Sequence, residues 1–387
     1  RDYMNFPSLN RKDLLYSAFP ALPLKDVSLE ENILEAVAKK DYMIYTPYQN
    51  FAYVIKFLRE AALDPQVKTI KITIYRLAKL SQVSSSLINA AKNGKKVVVQ
   101  IELQARFDEE NNIQAAESLE KAGVQLIFGV PGIKVHTKLC VIERLEGKKL
   151  KRYGFISTGN FNESTARIYT DYTLFTSHQK ILKDVSKVFN FLSVNYKIKK
   201  YKHLIVSPHY TFSALIRLIE QEIAHKEQGK KARIRLKLNN ITNYKVISKL
   251  HEASRAGVQI DVIVRGVCCL IPGVKGMSEN IRVISVVDKF LEHPRVYIFE
   301  NDGDPQMYIS SADWMTRNID NRVEVACPIL DKDLQQELLD TFLISWKDNV
   351  KARLVNTKNQ NAFVSNQEKA IRSPWATYAY FKEKLSQ

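Results

Sequence analysis

From about residue 28, hydrophobic positions recur along the chain with two periodicities that alternate. Apolar residues three and four apart indicate helices, and apolar residues that alternate with polar ones indicate half-buried strands. The pattern predicts helices at 28–40, 50–63, 85–94 and 109–123, and strands at 67–76, 95–103 and 124–129. Strands that alternate with helices in this way predict an α/β sandwich with a largely parallel or mixed sheet.

The same order of elements recurs after about His203. Helices are predicted at 212–226 and 244–257, and strands at 233–239, 258–266, 280–287, 295–300 and 306–312. The segments "STGNFNESTARIYTDY" and "SSADWMTRNIDNRVEV" begin at Ser157 and Ser310, and each reaches an acidic residue after fourteen positions. We therefore predict two diverged copies of one α/β unit, with two unrelated α/β domains as the alternative.

One histidine in each copy is followed two residues later by a cation. The strings "KVHTKLCVIE" and "EHPRVYIFE" are both interpreted as strands, so His136 and Lys138 should share one face, as should His293 and Arg295. A neutral imidazole can attack phosphorus while the neighbouring cation holds phosphoryl oxygens. If the copies pack about a pseudo-twofold axis, both histidines reach one phosphorus, one as nucleophile and one handling the proton. A histidine on a strand is usually structural, but the duplication and matched spacing favour this shared site.

Arginines close three predicted strands, at Arg76, Arg106 and Arg265. Open α/β sheets bind ligands at the carboxyl ends of their strands, so three arginines there would clamp a triphosphate or a longer anion. A surface ion pair is the alternative for each one alone. Four side chains that follow the histidines are candidates to orient the imidazoles through hydrogen bonds: Tyr169, Asp171, Arg322 and Glu324.

The composition narrows the class of partner. A formal net charge of +17 over 387 residues indicates a polyanionic partner, such as nucleic acid, an acidic membrane surface or a phosphate-rich substrate. No apolar run is long enough to span a bilayer, and no glycine-rich phosphate loop of the usual nucleotide-binding kinds follows a strand. The four cysteines lack paired metal-ligand spacing, and we interpret them, including the adjacent Cys268 and Cys269, as reduced core residues.

His-x-Lys with a downstream Gly-x-x-Asn, present in two copies, resembles the phospholipase D-like superfamily. Within it, "IYRLA", "ELQARFDEE", "GIKVHTKL", "TGNFNESTARIYTDY" and "SSADWMTRNIDNRVEV" resemble the polyphosphate kinase family, and the likeness covers nearly the whole chain from about Leu22. The resemblance implies two duplicated phospholipase D-like α/β sandwich domains with mixed central sheets, related by a pseudo-twofold. The implied domains are 23–203 and 204–387, the second with a C-terminal helix, preceded at 1–22 by the remnant of a helical domain.

The resemblance also implies a reaction, the reversible transfer of the ATP γ-phosphate to inorganic polyphosphate. His136 stands at the family's phosphorylated histidine, and His293 at the second histidine, which serves proton transfer and nucleotide contact. The same likeness assigns contacts with ATP to Tyr169 and Arg265. It assigns contacts with phosphate and its bound Mg²⁺ to Arg76 and Arg106. Because guanidinium has no lone pair for a cation, the last two would reach the metal only through shared phosphate oxygens.

Two departures keep alternatives open. Glu143 and Glu300 stand where phospholipase D-type motifs have Asp, and Arg295 replaces a lysine. The alternatives are a phospholipase D-like phosphodiesterase, acting as nuclease or lipase, and a catalytically silent anion-binding module. The resemblance further implies ATP and polyphosphate rather than nucleic acid as partners, and a bacterial cytoplasmic location with or without peripheral contact to the inner membrane. It also implies a homo-oligomer in the full-length protein through N-terminal regions missing here, and weak or no synthesis by this chain alone.

Overall fold

The computed structural model describes residues 11–78, 80–103, 109–194, 199–358 and 360–386. The strands of the first half are β1 (Tyr42–Thr46), β2 (Val67–Ile74), β3 (Lys96–Ile101), β4 (Gln125–Ile127), β5 (Lys134–Val135), β6 (Leu139–Glu146), β7 (Lys149–Ser157) and β8 (Tyr169–Thr176). Its helices are α1 (Ile33–Lys39), α2 (Ala52–Leu63), α3 (Gln82–Lys92), α4 (Glu109–Lys121) and α5 (Gln179–Ser193). Short 3-10 turns lie at Lys12–Leu14 and Thr165–Arg167.

The second half repeats the arrangement. Its strands are β9 (Ile205–Val206), β10 (Arg233–Leu238), β11 (Gln259–Val264), β12 (Ile281–Ser285), β13 (Leu291–Glu292), β14 (Arg295–Phe299), β15 (Gln306–Ser310), β16 (Arg322–Val323), β17 (Val325–Pro328) and β18 (Arg353–Val355). Its helices are α6 (Thr211–Glu227), α7 (Tyr244–Arg255), α8 (Thr316–Asp320), α9 (Lys332–Trp346) and α10 (Ser373–Ser386), and a 3-10 turn lies at Asn301–Gly303. Within the described ranges, no helix has the length and apolar character that crossing a bilayer requires.

Two mixed sheets with the same strand order confirm the predicted α/β class and duplication. The first sheet has the order β1-β8-β7-β6-β2-β3-β4, and the second has β9-β17-β15-β14-β10-β11-β12-β18. The three strands β2, β3 and β4 are parallel, as are β10, β11 and β12, and the other neighbours along each order are antiparallel. Each strand of the first sheet therefore has a topological equivalent in the second sheet, which has β18 as an additional edge strand.

The apolar core has three layers. The middle layer lies between the two sheets and takes side chains from both halves, including Tyr45, Val185, Ile298, Phe342 and Phe381. α2 and α3 pack on the outer face of the first sheet, and α6 and α7 on that of the second. Residues 97–101 of β3 are all buried, as is usual for a parallel strand covered on both faces.

The single strands predicted for "KVHTKLCVIE" and "EHPRVYIFE" are both wrong, because each is interrupted at its histidine, and the difference forms the interface between the halves. The chain leaves β5 after Val135 and enters β6 at Leu139, so His136 and Lys138 lie in the gap between two strands. β5 pairs in parallel with β16 of the second half, and β13, just before His293, pairs in parallel with β8 of the first. Each half therefore supplies a two-residue strand to the other, immediately before its histidine.

Two smaller predictions also differ from the structure. The helix predicted over 28–40 begins only at Ile33, because the Asn32 side chain accepts the backbone N–H of Glu35 and caps it there. The adjacent cysteines are not core residues, since both lie in the loop after β11 and Cys269 is exposed. Alternation of apolar residues could not separate the end of β11 from that loop, which is itself rich in apolar side chains.

Candidate active site

Each of the two motif histidines is hydrogen-bonded to a carboxylate from the other half. Nδ1 of His136 lies 2.9 Å from Oε2 of Glu324, and Nδ1 of His293 lies 2.8 and 2.9 Å from the two oxygens of Asp171. The exchanged strands cause this crossing, because β16 ends beside His136 and β8 begins beside His293. A carboxylate on Nδ1 holds the proton there and leaves the lone pair on Nε2.

Neutral donors hold both carboxylates in place. Glu324 accepts from Oγ of Ser311 and Nδ2 of Asn318, each at 2.6 Å, and Asp171 accepts from Oγ1 of Thr158 at 2.6 Å. Thr158 and Ser311 occupy the same place in the two repeats, directly after the first serine. Burial raises the pKa of Glu324 to about 7, although the charge of Lys138 opposes the rise. These hydrogen bonds therefore fix the positions of both carboxyl groups before any ligand arrives.

Gly159 leaves the space that Asp171 fills. A Cβ built on Gly159 would lie 2.0 Å from Oδ2 of Asp171, far inside van der Waals contact. The second repeat has Ala312 at the equivalent position, so a Cβ atom is accommodated there. The glycine is required by the close approach of a carboxylate that itself holds His293.

Gly159→Ala should therefore displace the Asp171 carboxylate from His293. We expect the free energy of unfolding to fall by about 1–3 kcal/mol, as for an overpacked core site. The imidazole NMR titration of His293 should shift as well, because its Nδ1 partner is lost. Ala312→Gly is the matched control and should leave the titration of His293 unchanged. An unaltered His293 signal in Gly159→Ala would contradict this account of the glycine.

The cations beside the histidines are arranged differently in the two halves. Nζ of Lys138 donates to the backbone carbonyl of His136, whereas Nη1 of Arg295 lies 3.2 Å from Nε2 of His293. Arg295 is also held by Asp313, through two contacts of 3.2 Å. In the described part of the chain, no side chain hydrogen-bonds Nε2 of His136. Among the described side chains, its lone pair therefore has no hydrogen-bond donor.

Both imidazoles are neutral near pH 7. Burial, followed by the charges of Lys138, Arg295 and Arg322, holds the pKa of His136 well below its ordinary value. Burial also lowers the pKa of His293, although Asp171 opposes the shift. Burial lowers the pKa of Lys138 to about 7, with Glu324 acting against it. Charges from both halves thus act on the same few groups, and both histidine side chains are only 12% exposed.

The lowered histidine pKa makes stability depend on pH. An unfolded histidine binds a proton near pH 6.5 and the folded His136 does not, so stability is lost as pH falls below about 6.5. We expect a contribution of up to about 1.4 kcal/mol per pH unit from this one residue. Urea unfolding of the chain and of His136→Gln, from pH 7.5 to 5.5, should show a smaller loss in the variant. Both proteins retain Glu324, whose raised pKa acts in the opposite direction, so equal slopes would contradict the prediction.

Two of the predicted ligand-binding residues lie beside His293. The Tyr169 ring centroid is 5.3 Å from that of His293. Nε of Arg265 donates to the side-chain oxygen of Asn239, whose Nδ2 donates to the backbone carbonyl of His293 at 3.0 Å. Asn239 is a site residue that sequence reasoning missed. Its place directly after β10, where the first half has Tyr75, was the available signal.

The other predicted arginines lie on the His136 side or outside the described residues. The Arg76 guanidinium lies 5.6 Å from the Tyr75 ring, and that ring packs edge-on to His136 with 4.9 Å between centroids. Arg322 lies on β16, and its charge contributes to the lowered pKa of His136. Arg106 falls in the stretch 104–108, outside the described residues, so its place at the site stays a prediction.

The acidic residues that end the two sequence motifs lie elsewhere. Glu143 pairs with Arg152 at 3.1 Å, and Glu300 pairs with Arg235 at 3.1 Å. These are ion pairs between neighbouring strands of each sheet. The carboxylates that contact the histidines come instead from the segments after Ser157 and Ser310.

Comparison with known proteins identifies the family. Models of polyphosphate kinase C-terminal domains 1 and 2 match residues 32–198 and 204–373. The polyphosphate kinases of Vibrio parahaemolyticus and Escherichia coli K12 are 48% and 46% identical to this chain over 99% of its length. The chain belongs to the polyphosphate kinase family. It spans about half the length of the curated relatives it matches, covering 55% and 56% of these two.

Solved structures support the same placement and the fold. The crystal structure of polyphosphate kinase from Porphyromonas gingivalis is 40% identical, with a TM-score of 0.88 over 95% of this chain and 57% of that one. A phosphatidylserine synthase from Haemophilus influenzae shares the fold at 11% identity, with a TM-score of 0.55 over 89% of this chain and 93% of its own. The predicted resemblance to the polyphosphate kinase family is confirmed.

The site of this polyphosphate kinase family member does not fit a resident metal ion. In the ranges that the structure describes, no group of three His, Cys, Asp or Glu side chains could hold one. The side chains around the histidines are mainly cationic, and guanidinium and ammonium groups cannot ligate a cation. The predicted vicinity of Mg²⁺ to Arg76 and Arg106 stays a prediction.

Proposed function

We propose that this chain carries the phosphoryl-transfer centre of a polyphosphate kinase. The centre moves the γ-phosphate of ATP to inorganic polyphosphate, and back, through a phosphohistidine at His136. The observation that carries this is the crossed pairing of His136 with Glu324 and of His293 with Asp171, which gathers two neutral imidazoles at one interface. The names of the relatives support the substrates. Because ATP is the donor, we place the reaction in the bacterial cytoplasm.

In the first step, Nε2 of His136 attacks the γ-phosphorus of ATP. The N–P bond forms as the bond from phosphorus to the ADP oxygen breaks, and ADP leaves. His136 then carries a positive charge, which Glu324 stabilises through the hydrogen bond to Nδ1–H. Lys138 and Arg295 face the phosphoryl oxygens and offset their charge, since phosphoryl transfer depends mainly on positioning and electrostatics.

In the second step, the terminal oxygen of a polyphosphate chain attacks the same phosphorus. The N–P bond breaks, the chain is longer by one phosphate, and His136 returns to its neutral form. His293, held by Asp171, binds or releases the proton of the entering or leaving oxygen. Tyr169 and Arg265 lie beside His293, where we propose that they contact the nucleotide. Arg76 and Arg106 are proposed to hold phosphate oxygens of Mg·ATP, in which the metal offsets charge as part of the substrate.

The test is to incubate the chain with γ-labelled ATP and Mg²⁺ and to look for acid-labile, base-stable label on the protein. The proposal predicts such a label, and its release as ATP when ADP is added or as polymer when polyphosphate is added. Cleavage of a phosphodiester substrate without that label would instead assign the site to a phosphodiesterase. If neither label nor cleavage is seen and anion binding is retained, the chain is only an anion-binding module.

A further inference from the structure

A second concentration of positive charge lies away from the histidines, on α5 and the segment that follows it. The described residues 178–194 and 199–203 contain six lysines and one acidic residue, Asp184. On α5, Lys180, Lys183 and Lys187 recur on one side, opposite the buried side that includes Val185. We use the term lysine face for five exposed lysines on α5 and in residues 199–202: Lys180, Lys183, Lys199, Lys200 and Lys202.

A buried carboxylate holds the two segments of the lysine face together. Asp184 accepts the backbone N–H groups of Lys202 and His203 at 2.7 and 2.8 Å, and Nζ of Lys187 at 2.6 Å. Lys187 also donates to the backbone carbonyl of Lys200 at 2.9 Å. Asp184 is 1% exposed, so the only negative charge of the region is internal and does not neutralise the surface.

The duplicated fold allows the lysines of α5 to be compared with the equivalent helix of the second half. α9 follows β17 as α5 follows β8, and the two helices can be compared by counting from their caps, His178 and Asp331. The positions of Lys180, Lys183 and Lys187 are taken on α9 by Asp333, Gln336 and Asp340. The equivalent helix thus carries acidic or neutral side chains at these positions, so the packing of this helix does not require a lysine at the exposed positions 180 and 183.

The lysine face is also distant from the histidines. Asp171 lies near the start of β8, whereas α5 begins just beyond its end, at Gln179. The five steps from Asp171 to Thr176 span roughly 17 Å, so a small phosphate compound bound at His293 does not also reach Lys180 at the start of α5. A long flexible polyanion can.

We propose that the lysine face is a docking site for inorganic polyphosphate, which holds a remote part of a chain whose end lies at His136. The assignment of this polyanion rests on the proposed function. An anionic membrane fits less well, because membrane-surface helices present large apolar side chains beside their lysines. In residues 178–194 and 199–203 no large hydrophobic side chain is exposed.

Four substitutions on the lysine face test the proposal: Lys180→Gln, Lys183→Gln, Lys199→Gln and Lys200→Gln. The matched control removes the same charge elsewhere, from four lysines that are equally exposed: Lys92→Gln, Lys96→Gln, Lys121→Gln and Lys231→Gln. Binding of fluorescent long-chain polyphosphate and of tripolyphosphate is measured for both variants and the unmodified chain at several salt concentrations. Unfolding curves confirm that both variants fold.

We expect the lysine-face variant to bind long polyphosphate at least about tenfold more weakly, with a log–log salt dependence shallower by about 3, as when four phosphate contacts are lost. The control variant should change by less than about twofold, and tripolyphosphate binding should be unchanged in both. Equal weakening in both variants, or lost tripolyphosphate binding, would overturn the proposal. So would loss of binding to anionic phospholipid vesicles with polyphosphate binding intact. Phosphohistidine labelling of the unmodified chain tests the proposed function separately.

Discussion

His136→Ala is expected to abolish the phosphorylated form of the chain, with phosphoryl transfer from ATP reduced by at least about 10³-fold. The reason lies in the two Nε2 atoms. No described side chain hydrogen-bonds Nε2 of His136, whereas Nη1 of Arg295 contacts Nε2 of His293. Rapid-quench measurement of labelled protein with γ-labelled ATP checks the prediction. His293 also has a carboxylate on its Nδ1, so the contact of Arg295 with its Nε2 is what distinguishes the two histidines.

The control for this prediction is His293→Ala. That variant keeps the nucleophile and its partner Glu324, so labelled protein should still form, more slowly, while growth of the polymer collapses. Label that persists in His136→Ala and disappears in His293→Ala would reverse the two roles. Unchanged polymer growth in His293→Ala would remove that residue from the mechanism.

Glu324→Gln is expected to slow formation of the phosphoenzyme by up to about 10⁴-fold, the loss caused by neutralising the carboxylate behind the histidine of a catalytic triad. The amide cannot offset the positive charge that develops on the imidazole of His136. It can also turn its NH₂ group toward Nδ1, which favours the tautomer with the proton on Nε2 and removes the attacking lone pair. Single-turnover labelling gives the rate, and nitrogen NMR of His136 reports the tautomer.

Asp171→Asn is the matched control, because it makes the same change behind His293. Phosphoenzyme formation should fall much less, and transfer to polyphosphate should fall more. The crossed arrangement makes this prediction specific, since Glu324 lies in the second half and acts on the histidine of the first. Equal effects of the two substitutions on labelling would show that the carboxylates do not serve separate histidines.

Much of the fold follows from local patterns in the sequence. The strands around Val99 and Val262 are buried on both faces and read as apolar runs, and the helices between them have a clear apolar side. The duplication was visible because Ser157 and Ser310 stand equally far from Asp171 and Glu324. Such signals survive because each depends on neighbours within one repeat.

The crossed connections could not be predicted in the same way. β5 and β13 are only two residues long and pair with strands of the other half, so no periodicity within one half marks them. The apolar alternation from Lys134 to Glu143 therefore favoured one continuous strand, although tertiary pairing of Val135 with Val323 interrupts it. For the same reason the sequence could nominate Asp171 and Glu324 but could not show which histidine each would contact.

The most direct test of the central claim is a crystal structure of the chain with ADP, Mg²⁺ and vanadate, which mimics a phosphoryl group in transfer. The account predicts vanadium bound to Nε2 of His136, with an oxygen of the same vanadate within hydrogen-bond distance of Nε2 of His293. Vanadate held by one histidine alone, with the imidazole of the other half beyond reach of any of its oxygens, would contradict a single centre shared by the two halves.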